Sequence, residues 1–322
     1  MAEKSHRFLT YAEQIAHLRD KGLNISDEAH AKEVLADIGY YELVNGYKAL
    51  FKKNGGGMFR AGTTFDDLLA LYKADENLRQ LCFKYILRIE IRLRSALSYA
   101  FCAQYGTKQE AYLDADNYSD DPDVRQNVFR LVAELRSEAE HNRSVYVAYQ
   151  RQEYGNVPLW VLFKAVSLGT LVKFYSYADD RVRKKTAAAF SEGCRDDLRC
   201  ETFERMLGVL LDFRNACAHN NILYTCKSDE QVPPMPVLRY VTFGWDESRL
   251  DGSVVYAGND LFAVFVCFFY LLKPEDFRRA SEGFDRITAH FLSLCKSVGE
   301  QELLRTMGFP ADWKRLADMQ NL

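Results

Sequence analysis

Leu211-Asp212-Phe213-Arg214-Asn215-Ala216-Cys217-Ala218-His219-Asn220-Asn221 is the stretch on which the reading of this chain turns. It closes an apolar run with helical spacing, and the pattern predicts one helix over residues 196–218. At about 100° per residue, Asn215 and His219 are four apart and share a helix face. Arg214 lies about 140° from His219, on the stripe that also carries Phe203, Leu207, Leu210 and Ala218. A guanidinium on an apolar seam needs a carboxylate, a phosphate or a partner chain, because an unpaired buried charge is costly. The seam arginine and the polar pair are therefore better placed to meet across two helices, or two chains, than within one.

These residue types suit cleavage of RNA by its own 2′-hydroxyl. Imidazole titrates near neutrality, at about 6.5, and gives or takes a proton there. Arginine stabilises extra charge on a phosphate in a transition state. An amide orients either group, and no metal-ligand set is needed. The spacing alone is unspecific. A second such pair, Arg136 and His141, has Ser137 where the first has Asn215, and it reads as surface. A helix-end ion pair with a capping histidine gives the same spacing as a catalytic pair, so both readings of Arg214 and His219 stand at this stage.

The chain has 322 residues, enough for one or two domains with a large core. A net charge of −3 supplies no global field toward nucleic acid, so RNA binding requires local basic patches. Met1 to Arg7 is polar and charged with no apolar run behind it, so no secretory leader is expected. The longest apolar run, residues 261–272, is too short to span a bilayer and reads as a buried helix. The cysteines at 82, 102, 194, 200, 217, 226, 267 and 295 form no Cys-x-x-Cys pair. They read as reduced thiols of a cytoplasmic protein, with neither a disulfide framework nor a zinc site, and no cofactor is expected.

In chain order, Thr10-x-x-Glu13 predicts a capping box and a helix stopped by Gly22. Ser26 and Asp27 start a second helix that ends at Gly39. Residues 40–51 are aromatic and β-prone, and read as core. Thr63 or Thr64 caps the next helical stretch, and residues 73–105 hold no proline or glycine, which predicts one long helix or two end to end. On it Lys84, Arg88 and Arg92 make a basic stripe, Ile86, Ile89, Leu93 and Leu97 an apolar one, and Glu90 can pair with Arg94. The basic stripe reads either as a phosphate track or as a solvated face.

Residues 106–122 read as loop, 123–152 as one kinked helix, and 159–177 as a helix interrupted by Gly169. Arg181, Arg183, Lys184 and Lys185 crowd the start of the following helix and form the strongest local candidate for phosphate contact. Residues 228–236 are a proline loop, 237–258 a small hairpin or irregular segment, and 283–298 a helix before an amphipathic tail. Gly55 to Gly57 lacks the following Lys-Ser/Thr of a phosphate cradle and reads as a turn. That leaves a nucleotide- or protein-modifying toxin without support.

Arg-Asn-x-x-x-His at a helix end resembles the motif of the HEPN ribonucleases. Its wider form, Leu211 to His219, resembles that of the bacterial abortive-infection proteins of the AbiD/AbiF type. Further blocks agree in order: Asp37 to Tyr47 (with one extra residue before Gly46), Arg88 to Arg94, Val157 to Trp160 followed by Ser167 to Leu171, and Met307 to Trp313. The resemblance covers nearly the whole chain. It departs after His219, where the family has a basic residue and this chain has Asn220, Asn221 and Ile222.

The chain reads as a mainly α fold, a helical bundle with a small irregular or β-containing appendage, and the resemblance implies that the bundle is HEPN-like. The expected organisation is an N-terminal helical and aromatic segment (1–62), a core with the motif (63–227) and a C-terminal part packed on it (228–322). The implied activity is a metal-independent endoribonuclease of anti-phage defence. His219 would be general acid or base, Arg214 would stabilise the phosphate and Asn215 would position one of them or the scissile group. The implied products are 2′,3′-cyclic phosphate and 5′-hydroxyl ends. The implied assembly is a homodimer with a composite site, with a small RNA as a further partner. The alternative is a non-catalytic scaffold of the same fold that holds RNA or protein on Lys84/Arg88/Arg92 and Arg181/Arg183/Lys184/Lys185.

Overall fold

One helix serves as the axis on which the others are laid. The computed structural model describes residues 8–52, 56–191, 198–241 and 256–319. Among these there is no strand, only three isolated bridges, so the fold is mainly α. Helix α1 (Tyr11–Asp20) starts at the predicted capping box: the Glu13 N–H donates to the Thr10 hydroxyl, and the Thr10 N–H donates to the Glu13 carboxylate at 2.8 Å. The chain leaves it through Gly22 at φ +86°, a conformation that favours glycine. Asp27 caps α2 (Glu28–Asp37).

Residues 40–51 are not extended, as their β-propensity predicts, but wound into a π-helical turn (Tyr41–Asn45) and a 3-10 turn (Lys48–Phe51). Leu43, Val44, Tyr47, Leu50 and Phe51 are buried and recur every three or four residues. Burying them together on one side requires helical winding, and that overrides local propensity.

Thr64 caps α3 (Phe65–Tyr105), a single helix of 41 residues and about 60 Å. Its predicted apolar stripe, Ile86, Ile89, Leu93 and Leu97, is buried, and Glu90 pairs with Arg94. The expected loop at 106–122 contains the short helix α4 (Gln109–Leu113). The expected kinked helix is two, α5 (Pro122–His141) and α6 (Val145–Tyr154). They separate where the Asn142 side chain accepts the Ser144 N–H at 2.7 Å, which offers the backbone an alternative to helix.

Next come α7 (Leu159–Leu162) and α8 (Leu168–Tyr177). The break between them falls before Gly169, not at it, because Ser167 caps α8. Gly169 sits inside the first turn, where a Cβ would touch Leu211 at 3.9 Å. Helices α9 (Asp180–Ser191) and α10 (Cys200–Ala218) follow. After a 3-10 turn (Pro236–Tyr240) come α11 (Leu261–Leu271), α12 (Pro274–Leu294), α13 (Glu300–Thr306) and α14 (Arg315–Met319). Most of the hairpin predicted within 237–258 lies outside the described residues. Helix α12 starts at Pro274, well before the predicted residue 283.

Helices α9, α10 and α12 pack on α3, and α10 also packs against α8 and α11. Helix α11 is buried nearly all round, as its unbroken apolar run predicts. Leu43 from the first predicted segment, Ile89 and Phe213 from the second, and Phe265 and Phe284 from the third belong to one core. Among the described residues no helix is long and apolar enough to cross a membrane.

Two members of the predicted basic stripe help to hold this packing. Arg88 pairs with Asp276 of α12. Arg92 donates to the Leu271 carbonyl at 3.1 Å and the Ala189 carbonyl at 2.6 Å, with its guanidinium over the Phe190 ring. It thus closes the C-terminal turns of α11 and α9 at once. Replacing Arg92 by Ala is expected to lower stability by about 1–3 kcal/mol in urea unfolding. Arg92→Lys should recover little of that, since one ammonium does not reproduce a planar fork to two carbonyls.

Candidate functional site

Helix α10 buries Phe203, Met206, Leu207, Leu210 and Phe213, a stripe of three-and-four spacing that faces the core. The predicted seam through Arg214 to Ala218 runs out before its end. Arg214 is half-buried at the margin and Ala218 is exposed, because the last turn of α10 emerges from the core. The central expectation for Arg214 survives in a sharper form. Its Nε is buried without a hydrogen-bond partner, and Nη1 donates only a long bond, 3.4 Å, to the Asn215 side-chain oxygen. The helix-end ion pair weighed from the sequence is absent among the described residues.

His219 closes the helix. Its N–H donates to the Asn215 carbonyl at 3.0 Å, and the residue is exposed. Asn220 then turns into the left-handed region at φ +56°, which asparagine tolerates better than most residues. That turn lets the Asn221 N–H donate to the Ala216 carbonyl at 2.9 Å, satisfying one of the helix's terminal carbonyls.

The loop beyond is pinned from below. Asp75 on α3 is fully buried and accepts from the Leu223 N–H (3.0 Å), the Tyr224 N–H (2.7 Å), the Tyr47 hydroxyl (2.8 Å) and Arg79 Nη1 (2.6 Å). Arg79 also reaches the Asn221 carbonyl at 3.4 Å. The Tyr47 ring stacks on Tyr224 with centroids 5.8 Å apart, and Ile222 packs where a Cβ on Gly46 would crowd it at 3.2 Å. Burial pushes the Asp75 carboxyl up, opposed chiefly by the Leu223 N–H, the Tyr47 hydroxyl and Arg79. One buried carboxylate thus joins the N-terminal aromatic block, the axial helix and the chain just past His219. Sequence reasoning did not single out Asp75 or Arg79. The available signal was a carboxylate and an arginine four apart between Leu71, Leu78 and Cys82 on a helix.

Cys217 lies between Arg214 and His219 in sequence. Burial pushes its thiol up to about 12, so at neutral pH it is not a thiolate nucleophile.

The other predicted contact residues fall in different places. In the cluster on α9, Arg183 pairs with Glu204 at 2.6 Å and Lys184 with Asp180 at 3.6 Å. Arg181 is exposed, and Lys185 lies over the Tyr99 ring. Lys84 is exposed beside the Tyr85 ring. Arg136 and His141 are exposed on α5, as read from the sequence. A feature missed there is the exposed aromatic surface of α6 and α7. Tyr146, Tyr149, Tyr154 and Trp160 all face solvent, with Lys164 Nζ 3.8 Å from the Tyr146 ring centre. Its signal was tyrosines three apart in a helix otherwise rich in polar residues. Among the described residues no group of three potential metal ligands comes together.

The fold and this site define a class first: a mainly α chain that presents, at one helix end, an exposed histidine and an arginine with no carboxylate partner among the described residues. The chain belongs to the family described as Abi-like protein, whose model matches residues 33–225. That interval includes Tyr47, Asp75, Arg79, the Arg-Asn-x-x-x-His stretch and Tyr224, so the motif and its pinned loop lie wholly within it. Membership points to abortive-infection defence. No curated protein and no solved structure matches the chain.

Asp75→Ala is expected to cost about 3–5 kcal/mol in chemical denaturation, since it strands an arginine and three further donors in the core. Asp75→Asn should cost less, as one acceptor remains. In peptide mapping after brief alkylation at pH 8, Cys217 should stay unmodified in the native chain and react fully once the chain is unfolded.

Proposed function

We propose that this protein is a metal-independent endoribonuclease of abortive-infection defence, with HEPN-type chemistry at Arg214, Asn215 and His219. In this reading the RNA 2′-hydroxyl attacks the adjacent phosphorus and the bond to the 5′-oxygen breaks. The products are a 2′,3′-cyclic phosphate and a 5′-hydroxyl. His219 takes the proton from the 2′-hydroxyl or gives one to the leaving oxygen. Arg214 stabilises the charge that builds on the phosphate oxygens, and Asn215 steadies the guanidinium.

The observation that carries the reading is Arg214: half-buried, with no carboxylate partner among the described residues, one turn before an exposed histidine. A guanidinium held this way is a receptor for an oxyanion. Arg214 and His219 point about 140° apart around α10, so two copies of the helix end, one from each protomer of a homodimer, make a better site than one. Arg181 and Lys185 supply phosphate contacts, and the α6–α7 aromatics supply faces on which single-stranded bases stack. A bound small RNA would occupy the same surfaces.

A second reading, a binding scaffold without cleavage, draws on the same aromatic surface and on the structural use of Arg88, Arg92 and Arg183. The two are separated by incubating labelled single-stranded RNA in EDTA. Wild type is expected to cut it and leave cyclic-phosphate ends. His219→Ala and Arg214→Ala should each lose about 100-fold or more in rate while keeping the wild-type melting temperature. Undiminished cutting by both variants rejects the nuclease. RNA binding without cutting by any of the three proteins selects the scaffold.

A further inference from the structure

Away from the motif, α3 and α12 run antiparallel: Arg88 meets Asp276, a Cβ on Gly283 would strike Leu81 at 2.7 Å, and Asp67 accepts from Ser297. Between them lies an open groove of about 530 Å³. Its floor is aliphatic, formed by Ala70, Ala74, Leu81, Ile287 and Leu294. Leu294 is 57% exposed. Its rim carries Lys73, Lys84, Arg286 and His290, with the amides of Asn77 and Gln80, and no Asp or Glu lines it. None of those four basic side chains has a carboxylate partner among the described residues, whereas Arg88, Arg278, Arg279 and Lys314 nearby do.

We infer that this groove is the docking site for an acidic amphipathic helix of a partner protein. Periodicity identifies the shape of the occupant. The lining residues of α3 recur at 70, 73, 74, 77, 80, 81 and 84, and those of α12 at 283, 286, 287, 290, 291 and 294. Both are three-and-four ridges, and two adjacent ridges of this kind leave a channel that a third helix fills. Residues 70–84 span about 21 Å, four turns of a helix. Charge identifies the chemistry: an aliphatic floor between uncompensated cations fits a helix with apolar residues on one face and carboxylates on its flanks. Nucleic acid fits less well, because base stacking is served best by exposed Phe, Tyr or Trp faces and the one such residue in the lining, Phe291, is buried. This inference does not depend on the nuclease reading.

The test uses the full chain and two fluorescein-labelled helical peptides of about 21 residues, with leucines at heptad a and d positions. One carries glutamates on the flanks and the other lysines. Fluorescence anisotropy should show saturable binding of the acidic peptide only. K73E/R286E should weaken that binding by about tenfold or more and favour the lysine peptide instead, with an unchanged melting temperature. Leu294→Ser should weaken the acidic peptide without reversing the preference. Absence of saturable binding to wild type, or indifference of the acidic peptide to the double substitution, overturns the proposal. A 12-mer single-stranded RNA whose binding is abolished by K73E/R286E while peptide binding persists would assign the groove to nucleic acid and also overturn it.

Discussion

A buried carboxylate with four donors around it is the constraint on which the geometry of this protein rests. Asp75 has no exposure to water, so its hydrogen-bonding capacity must be met from within the chain. The donors come from three places far apart in sequence: Tyr47, Arg79 and the consecutive amides of Leu223 and Tyr224. An apolar contact would tolerate sliding by a fraction of an ångström in any direction. Hydrogen bonds to one carboxylate at 2.6–3.0 Å do not. The chain just past His219 is thereby held in register with α3, and the end of α10 is located from both sides.

Positive charge is put to three separate uses. Arg79, Arg88, Arg92 and Arg183 are committed to carbonyls and carboxylates that tie helices together. Arg214 is half-buried but has no carboxylate partner among the described residues. Retaining a guanidinium in that state costs stability. Lys73, Lys84 and Arg286 form a third set, gathered on one groove without a carboxylate partner among the described residues. With a net charge of only −3, positive potential is confined to such local patches.

Much of the helical architecture was legible because it is written in local chemistry. Thr10 with Glu13, Asp27 and Thr64 are side chains that satisfy helix-terminal amides, and each begins a helix where it was read. The absence of proline and glycine from 73–105 marked the long axis, and the unbroken apolar run at 261–271 marked a helix buried all round. Where the reading failed, a tertiary demand outweighed a local one. Residues 40–51 are wound, not extended, because five side chains have to reach one core. Gly169 proved compatible with a helix because Ser167 had already started one.

The candidate site divides along the same line. Spacing alone put Asn215 and His219 on one face of a helix and set Arg214 apart from both, since 3.6 residues per turn is a property of the backbone. It did not say whether Arg214 would find a carboxylate, nor that Arg88 and Arg92 would be consumed in packing while Lys84 stayed free. Those outcomes depend on which helices arrive opposite each side chain. Nor did it reveal Asp75, whose partners other than Arg79 lie 28, 148 and 149 residues away. Periodicity and capping are short-range and can be read from the chain by itself. The pairing of buried charges is decided only when distant segments are brought within hydrogen-bonding distance, and only the tertiary structure does that.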